Sequence, residues 1–317
     1  MRILTSILCL VLILGLGCKN EVPRDEDERP LIVATTTMLE DMVRELGGDA
    51  VQVRGIMSAG ADPHIYQPRP GDAKMIASSQ MVVMSGLYLE GWMENLVRHA
   101  GGERPVVVAG ERIDPIRMKD SPGGVDPHFW FDLEAYGVAA RTVGEAMLEL
   151  VGADTERGQE VQLRLDEYTA TLEALHLWVN DRLRTIPEDH RVLVTSHDAF
   201  NYFGRAYDID VEAIQGISTE QEASQRDVAN MIELVRKREA PAVFVETSVN
   251  PALIRQVARE TGAAVAGPLY SDSIGPKDSA ASTFVSTVTE NVRMIVEALG
   301  GQYSPFVHED MRQRAHE

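Results

Sequence analysis

The sequence of 317 residues predicts an α/β protein of two lobes, each a parallel sheet flanked by helices, joined by one long rigid helix. The first observation is that short β-branched runs alternate with helical patterns in two separate stretches of the chain. Such alternation is typical of parallel sheets covered by helices. The second observation is that a long helical region with a continuous apolar stripe separates the two stretches.

The first alternating stretch predicts strands at 31–36, 51–56, 81–85 and 105–108, with helices at 38–46, 71–79 and 92–99. The second predicts strands at 191–195, 211–214, 242–245 and 263–267, with helices at 225–237, 251–261 and 283–299. We therefore assign residues 31–153 to an N-terminal α/β lobe and residues 188–317 to a C-terminal α/β lobe.

The region between them predicts two helices. The first covers 133–151 and ends at Gly152, and the second, capped by Asp154 or Thr155, ends before Pro187. Apolar residues recur every three or four positions along the second helix: Val161, Leu165, Tyr168, Leu172, Leu175, Val179 and Leu183. We assign 154–187 to a long linking helix that spans both lobes. A locally packed helical hairpin is the alternative.

The N-terminus has the pattern of an export signal. Residues 1–18 carry one positive charge, Arg2, then an apolar run too short for a comfortable membrane span, and close on Gly15-Leu16-Gly17-Cys18. This ending resembles a bacterial lipobox and predicts lipidation of Cys18, although Gly15 stands where such motifs usually have Leu. An ordinary signal peptide or an uncleaved anchor is the alternative. Residues 19–30 are charged and predict a flexible tether.

Composition excludes several classes of function. The formal net charge of −19 is unfavourable for binding nucleic acid, so we expect no nucleic-acid partner. The cysteines are Cys9 and Cys18, both within the leader, so the mature chain has neither a disulfide nor a thiolate metal ligand.

Two tripeptides repeat in the first half of the chain, Asp62-Pro63-His64 and Asp126-Pro127-His128. Proline fixes its own φ and restrains the residue before it, so each histidine follows a stiffened segment. A stiff loop can hold an imidazole nitrogen within the narrow tolerance of metal coordination. His64 and His128 are therefore candidate metal ligands.

Two further candidates lie in the second half. His197 ends a predicted buried strand, and Asp272 lies in a loop after another apolar strand. Ligands bind beyond the carboxyl ends of strands in open α/β sheets. Because the four candidates are far apart in sequence, they can meet only if two lobes face each other across a cleft. Three imidazoles and a carboxylate suit a first-row divalent metal.

The chain resembles the zinc- and manganese-binding family of periplasmic solute-binding proteins that serve ABC transporters. The resemblance covers essentially the whole mature chain. It rests on residues 33–37, 62–68, 86–92, 126–132, 195–203, 244–246 and 269–275.

The resemblance implies a metal held between two lobes, by His64 and His128 from the first and by His197 and Asp272 from the second. It also implies that Glu246 is a hydrogen-bond partner of a ligand, with a strand-end surface carboxylate as the alternative. The expected partner is an ABC transporter permease subunit, and the protein is expected to be a monomer. We expect it to be exported, in the periplasm or on the outer face of the cytoplasmic membrane, anchored through its N-terminal lipid.

Zinc is predicted ahead of manganese as the bound cargo, because three nitrogen donors and one carboxylate suit zinc. Two departures from the family pattern bear on this. Residues 111–125 lack the His-rich loop of many zinc-specific members, and His197 stands where many manganese-specific members carry Glu.

Three other hypotheses stay open at this point: a metal-binding surface adhesin on the same scaffold, a zinc hydrolase and a binder of an organic solute. The hydrolase is disfavoured because Asp272 fills the position that a catalytic zinc leaves to water, and we expect no enzyme activity. The remaining histidines are weaker candidates for metal binding: His99, His176, His190, His308 and His316.

Overall fold

The computed structural model describes residues 29–118 and 124–307. The predicted signal peptide with Cys18, and residues 19–28 of the predicted tether, lie outside the described residues. His308 and His316 also lie outside them. Within the two described ranges, no helix has the length and apolar character needed to cross a membrane.

The N-terminal lobe is built on a four-stranded parallel sheet. Its strands are β1 (Leu31–Ala34), β2 (Gln52–Gly55), β3 (Met81–Met84) and β4 (Val106–Val108). Their order across the sheet is β2-β1-β3-β4. The central strands β1 and β3 are almost fully buried, as expected for parallel strands covered by helices on both faces.

The C-terminal lobe has two pairs of parallel strands. They are β5 (Val192–His197) with β6 (Asp210–Gln215), and β7 (Ala242–Glu246) with β8 (Ala264–Leu269). Strands β5 and β7 lie side by side. All the residues of both strands are buried, so their carboxyl ends lie inside the protein.

The helices follow the strands in the predicted alternation. Their bounds are α1 (Thr37–Gly47), α2 (Pro70–Ser78), α3 (Met93–Ala100), α4 (Leu133–Val151), α5 (Glu156–Leu183), α6 (Asn201–Tyr207), α7 (Gln225–Arg238), α8 (Ala252–Thr261) and α9 (Phe284–Ala298).

Helix α5 is the long helix predicted from the apolar stripe. The side chain of Thr155 caps it by accepting a hydrogen bond from the backbone of Gly158. All seven residues of the stripe are buried. The helix packs on α1 and α4 and also on α6 and α9, so it contacts both lobes. Gly144 of α4 permits the close approach of α4, because a Cβ there would lie 2.7 Å from Leu165 of α5.

The architecture is therefore α/β, with two lobes joined by a long helix, as predicted. The exact domain boundaries stay a prediction. Helix α6 is an element that the sequence pattern did not predict. It has seven residues, too few to display a helical period, and its aromatic residues Tyr202, Phe203 and Tyr207 are buried by tertiary packing.

Candidate metal centre

Four side chains far apart in sequence meet between the two lobes. They are His64 in the loop after β2, His128 just before the turn Phe129–Phe131, His197 at the end of β5, and Asp272 in the loop after β8. One possible ligand atom from each lies within 4.8 Å of the others. The cleft required by the sequence hypothesis is therefore present.

The separations of these atoms match a small coordination sphere. The Nε2 atoms of His64 and His128 are 3.1 Å apart. Asp272 Oδ1 is 3.6 Å from His128 Nε2 and 3.9 Å from His64 Nε2, and Asp272 Oδ2 is 3.5 Å from His197 Nε2. Two nitrogens on a tetrahedral zinc, each about 2.0–2.1 Å from the metal, lie about 3.3 Å apart. The observed separations are close to this value, and the four ligand atoms would converge on one ion by moving inward from a spread of at most 4.8 Å.

The two Asp-Pro-His segments form the same local turn. The aspartate of each accepts a hydrogen bond from the backbone N–H of its histidine, at 2.9 Å in both cases. Only Asp126 also contacts the ring of its histidine, with Oδ1 2.7 Å from His128 Nδ1. Because a carboxylate accepts and does not donate, Nδ1 of His128 carries the hydrogen and Nε2 is left for a metal.

Asp62, unlike Asp126, forms a hydrogen bond to the opposite lobe. Its Oδ2 accepts a hydrogen bond of 2.6 Å from Thr219 of the C-terminal lobe. The indole of Trp92 donates to the carbonyl of Pro63 at 3.1 Å, which fixes the turn that carries His64. This loop is thus held both by its own lobe and by the opposite one.

His197 is held by Glu246 at the end of the neighbouring strand. Oε2 of Glu246 is 2.5 Å from His197 Nδ1, and its Oε1 accepts the backbone N–H groups of Ser196 and His197 at 2.7 and 2.9 Å. Glu246 is 4% exposed, so it is not a surface carboxylate. These three contacts orient the ring so that Nε2 points to the other candidate ligands.

One carboxylate oxygen of Asp272 accepts hydrogen bonds and the other does not. Its Oδ2 accepts hydrogen bonds from the hydroxyls of Ser248 at 2.6 Å and Ser271 at 3.1 Å. Among the described residues, Asp272 Oδ1 and His197 Nε2 are buried and have no hydrogen-bond partner. Buried polar atoms are rarely left without a partner. A bound cation would satisfy both atoms.

The charges of the group are strongly coupled. Burial, reinforced by the nearby His128, lowers the pKa of His64 to about 4. Burial also opposes charge on His197, but Asp272 and Glu246 outweigh it and raise the pKa of that imidazole above its ordinary value. Burial likewise opposes charge on Asp272, and the three imidazoles, His197 first, hold its pKa well below the usual range.

The approach from solvent lies on the His64 side. The side chain of His64 is 6% exposed, whereas those of the other three candidates are 0% exposed. A cavity of about 610 Å³ beside His64 is lined by residues of both lobes, including Tyr66, Trp92 and Glu220. An ion entering from this cavity meets His64 first.

The structure brings together all four predicted ligands and Glu246, and it keeps other histidines apart. His176 Nδ1 lies 3.2 Å from the hydroxyl of Tyr207, and His190 Nδ1 lies 3.2 Å from the carbonyl of Leu299. The sequence interpretation did not single out Asp126 or Ser248 as partners of the site. The position of Asp126 two residues before His128 was an available signal, whereas Ser248 has none.

Comparisons with known proteins identify the family of the chain. A family model described as ZnuA, zinc-uptake complex component A, periplasmic, matches residues 32–298. The zinc-binding protein TroA of Treponema pallidum is 33% identical over 309 residues, which cover 94% of this chain and 98% of TroA. The manganese-binding lipoprotein MntA of Bacillus subtilis is 33% identical over 291 residues, covering 89% of this chain and 94% of MntA.

Solved structures show the same fold. The periplasmic zinc-binding protein TroA of T. pallidum superposes with a TM-score of 0.80 at 32% identity, over 86% of this chain and 99% of TroA. Fe(III)-bound YtgA from Chlamydia trachomatis superposes with a TM-score of 0.78 at 29% identity, over 87% of this chain and all of YtgA. The chain therefore belongs to the ZnuA family and is a metal-binding solute-binding protein of the ABC transporter type, not an enzyme.

Proposed function

We propose that this protein captures one divalent transition-metal ion outside the cytoplasm, zinc ahead of manganese, and delivers it to an ABC importer. His64, His128, His197 and Asp272 are the proposed ligands, with Glu246 orienting His197. The observation that carries the proposal is the convergence of these four side chains, from both lobes, with ligand atoms within 4.8 Å of one another. Three imidazoles and one carboxylate fill a tetrahedral sphere without leaving a position for water.

The hydrogen bonding of the Asp272 carboxylate favours zinc over manganese. Oδ2 already accepts two serine hydroxyls, so Oδ1 is the oxygen free to bind a metal. One oxygen and three nitrogens give four ligands, the number that zinc prefers, whereas manganese favours more oxygen donors and a higher coordination number. The relatives include both a zinc-binding and a manganese-binding protein at the same 33% identity, so overall similarity does not decide between the two metals.

The proposed location is the periplasm or the outer face of the cytoplasmic membrane, with the chain anchored by a lipid on Cys18. Two observations support this. The sequence ends its apolar leader at that cysteine, and the relatives include manganese-binding MntA and metal ABC transporter substrate-binding SsaB, both named as lipoproteins. We propose that the protein acts as a monomer that docks on the permease subunit of the importer.

Equilibrium dialysis followed by elemental analysis tests the proposal. The mature protein is expected to retain one zinc ion per chain, and His128→Ala to lose most of its affinity for zinc. His176→Ala is the matched control, because His176 is a partly buried histidine that hydrogen-bonds Tyr207 away from the site. Retention of zinc by His128→Ala at wild-type affinity would contradict the proposed ligand set.

A further inference from the structure

Helix α6 of the C-terminal lobe lies against the segment of the N-terminal half that carries His128. This short helix begins four residues after His197. The hydroxyl of Tyr202 donates to the backbone carbonyl of Asp126 at 2.9 Å. Arg205, one turn further along, donates to the carboxylate of Asp132 at 3.1 Å. The segments of two candidate ligands are therefore in direct contact through α6.

Asn201, the first residue of α6, contacts the carboxylate that fixes His128. Its Nδ2 donates to Asp126 Oδ2 at 3.0 Å. Oδ1 of the same carboxylate accepts both the backbone N–H and the ring Nδ1–H of His128, at 2.9 and 2.7 Å. Asp126 is 0% exposed, so in the folded protein its carboxylate depends on these protein donors for its hydrogen bonds. The side chain of Asn201 also interacts with Asp198, the neighbour of His197.

We propose that Asn201 is a positioning residue for metal binding, which holds His128 in its coordinating tautomer and orientation by hydrogen-bonding Asp126. The inference rests on the proposed function, because it takes His128 as a ligand. Asn201 follows His197 in the chain but acts on His128. It thus links the segment of His197 in the C-terminal lobe to His128 in the N-terminal half, so that the positions of the two imidazoles depend on each other.

The consequence of losing Asn201 follows from the bonding of Asp126. Without the amide donor, Oδ2 is a buried carboxylate oxygen that lacks this partner, and only the bonds of Oδ1 to His128 then restrain the carboxylate about its terminal torsion. Rotation weakens the hydrogen bond to Nδ1 and lets the hydrogen move to Nε2, the nitrogen that must be bare to bind a metal. Partners that orient metal ligands are typically worth about 10- to 100-fold in affinity. For Asn201, which acts through Asp126, we expect about a tenfold loss, at the lower end of that range.

The test is a double-mutant cycle of Asn201→Ala and Asp126→Asn, with the affinity for Zn²⁺ measured by competition with a chromophoric chelator. Asn201→Ala alone is expected to weaken binding about tenfold. In the Asp126→Asn background the same change is expected to have little effect, because the residue through which Asn201 acts has already been altered. Equal losses in both backgrounds would overturn the inference.

A second measurement reports on the metal-free protein. Long-range ¹⁵N–¹H spectra of the imidazole rings distinguish a hydrogen on Nδ1 from one on Nε2. We expect His128 to carry its hydrogen on Nδ1 in the wild type and to show a mixture of tautomers in Asn201→Ala. An unchanged tautomer would overturn the inference. If the alanine variant folds poorly, Asn201→Ser serves instead, since its hydroxyl is one bond shorter and does not reach Asp126.

Arg205→Gln is the matched control, since it removes a hydrogen bond from the same helix to the same segment without touching Asp126. Its zinc affinity is expected to stay within about twofold of wild type, because the side chain of Arg205 is 46% exposed and ion pairs of such exposed side chains contribute little. A loss as large as that of Asn201→Ala would overturn the inference in favour of general contact between the lobes. Wild-type affinity in His128→Ala contradicts the proposed function itself, whereas a loss there combined with full affinity in Asn201→Ala contradicts this inference alone.

Discussion

Binding of the metal is expected to release a proton from His197. Its imidazole lies between two carboxylates, with Nδ1 2.5 Å from Glu246 and Nε2 3.5 Å from Asp272. Although burial opposes the charged form, Asp272 and Glu246 outweigh it and raise the pKa of His197 above its ordinary value. Below this raised pKa the metal-free protein holds a proton on each ring nitrogen of His197, and a metal must displace the one on Nε2.

The magnitude follows from linkage. Below the raised pKa of His197, one proton is lost per metal bound, so each fall of one pH unit lowers the affinity about tenfold, or about 1.4 kcal/mol. From pH 7 to pH 5 the expected loss is about a hundredfold. The pKa of His64 is lowered to about 4, so this histidine is already neutral over that range and adds a further loss only near pH 4. At alkaline pH, above the pKa of His197, the affinity for the metal levels off.

Isothermal titration calorimetry with zinc, in two buffers of different ionisation enthalpy, measures the number of protons released. We expect about one per zinc at pH 7. Glu246→Gln is the comparison variant. It removes one of the carboxylates that raise the pKa of His197, so it should release fewer protons at the same pH. Release of no proton at pH 7, or an affinity that is flat between pH 7 and pH 5, would refute the reasoning.

Three further changes have defined outcomes. His64→Ala and Asp272→Ala should each lower zinc affinity by about a hundredfold or more in a chelator competition, since even residues that act only through a ligand reach that value. His308→Ala should leave the affinity unchanged. Equal zinc affinity in all three variants would contradict the ligand assignment. In dialysis against equal free concentrations of zinc and manganese, the wild type should take up zinc. His197→Glu should bind a larger share of manganese, because an oxygen donor replaces a nitrogen donor. A larger share of zinc in this variant would contradict the prediction. Leu172→Ala, in the buried stripe of α5, should lower the free energy of unfolding in urea by about 2–5 kcal/mol, and an unchanged midpoint would show that α5 is not packed as described.

The parts predicted well from the sequence are those specified by local patterns. The stripe on α5 needs only the helical period, and all its members are buried. The alternation of strands and helices predicted the parallel sheets, since parallel strands need helical crossovers. The candidate ligands were chosen because each stands in a loop or at a strand end, and the structure brings one possible ligand atom of each within 4.8 Å of the others; their role as ligands stays a prediction. The prediction that these four residues meet rested on the family resemblance and on the expectation of a cleft between two lobes. Their spacing in the sequence did not predict it.

The features that the sequence did not predict depend on contacts between distant segments. Asn201 and Asp126 are 75 residues apart, and Ser248 and Asp272 are 24 apart. No periodicity or motif relates such pairs, because their side chains meet only after distant segments of the chain have packed together, within one lobe for Ser248 and Asp272 and across the lobes for Asn201 and Asp126. Helix α6 was missed for a similar reason, since its aromatic residues are buried by neighbouring segments and not along one helical face.

The proposed preference for zinc over manganese should depend on Ser248. Its hydroxyl lies 2.6 Å from Asp272 Oδ2 and engages the oxygen that a metal would need for bidentate coordination. Ser248→Ala removes this bond and leaves Oδ2 freer to join Oδ1 on the ion, which raises the coordination number and the share of oxygen donors, both of which favour manganese. In competition at equal free metal, the ratio of zinc to manganese bound should therefore fall. Ser271→Ala is the matched control, because the longer 3.1 Å contact of Ser271 with the same oxygen should produce a smaller shift. A ratio unchanged in both variants would mean that Asp272 binds through one oxygen whatever its neighbours, and that the three imidazoles alone set the choice of metal.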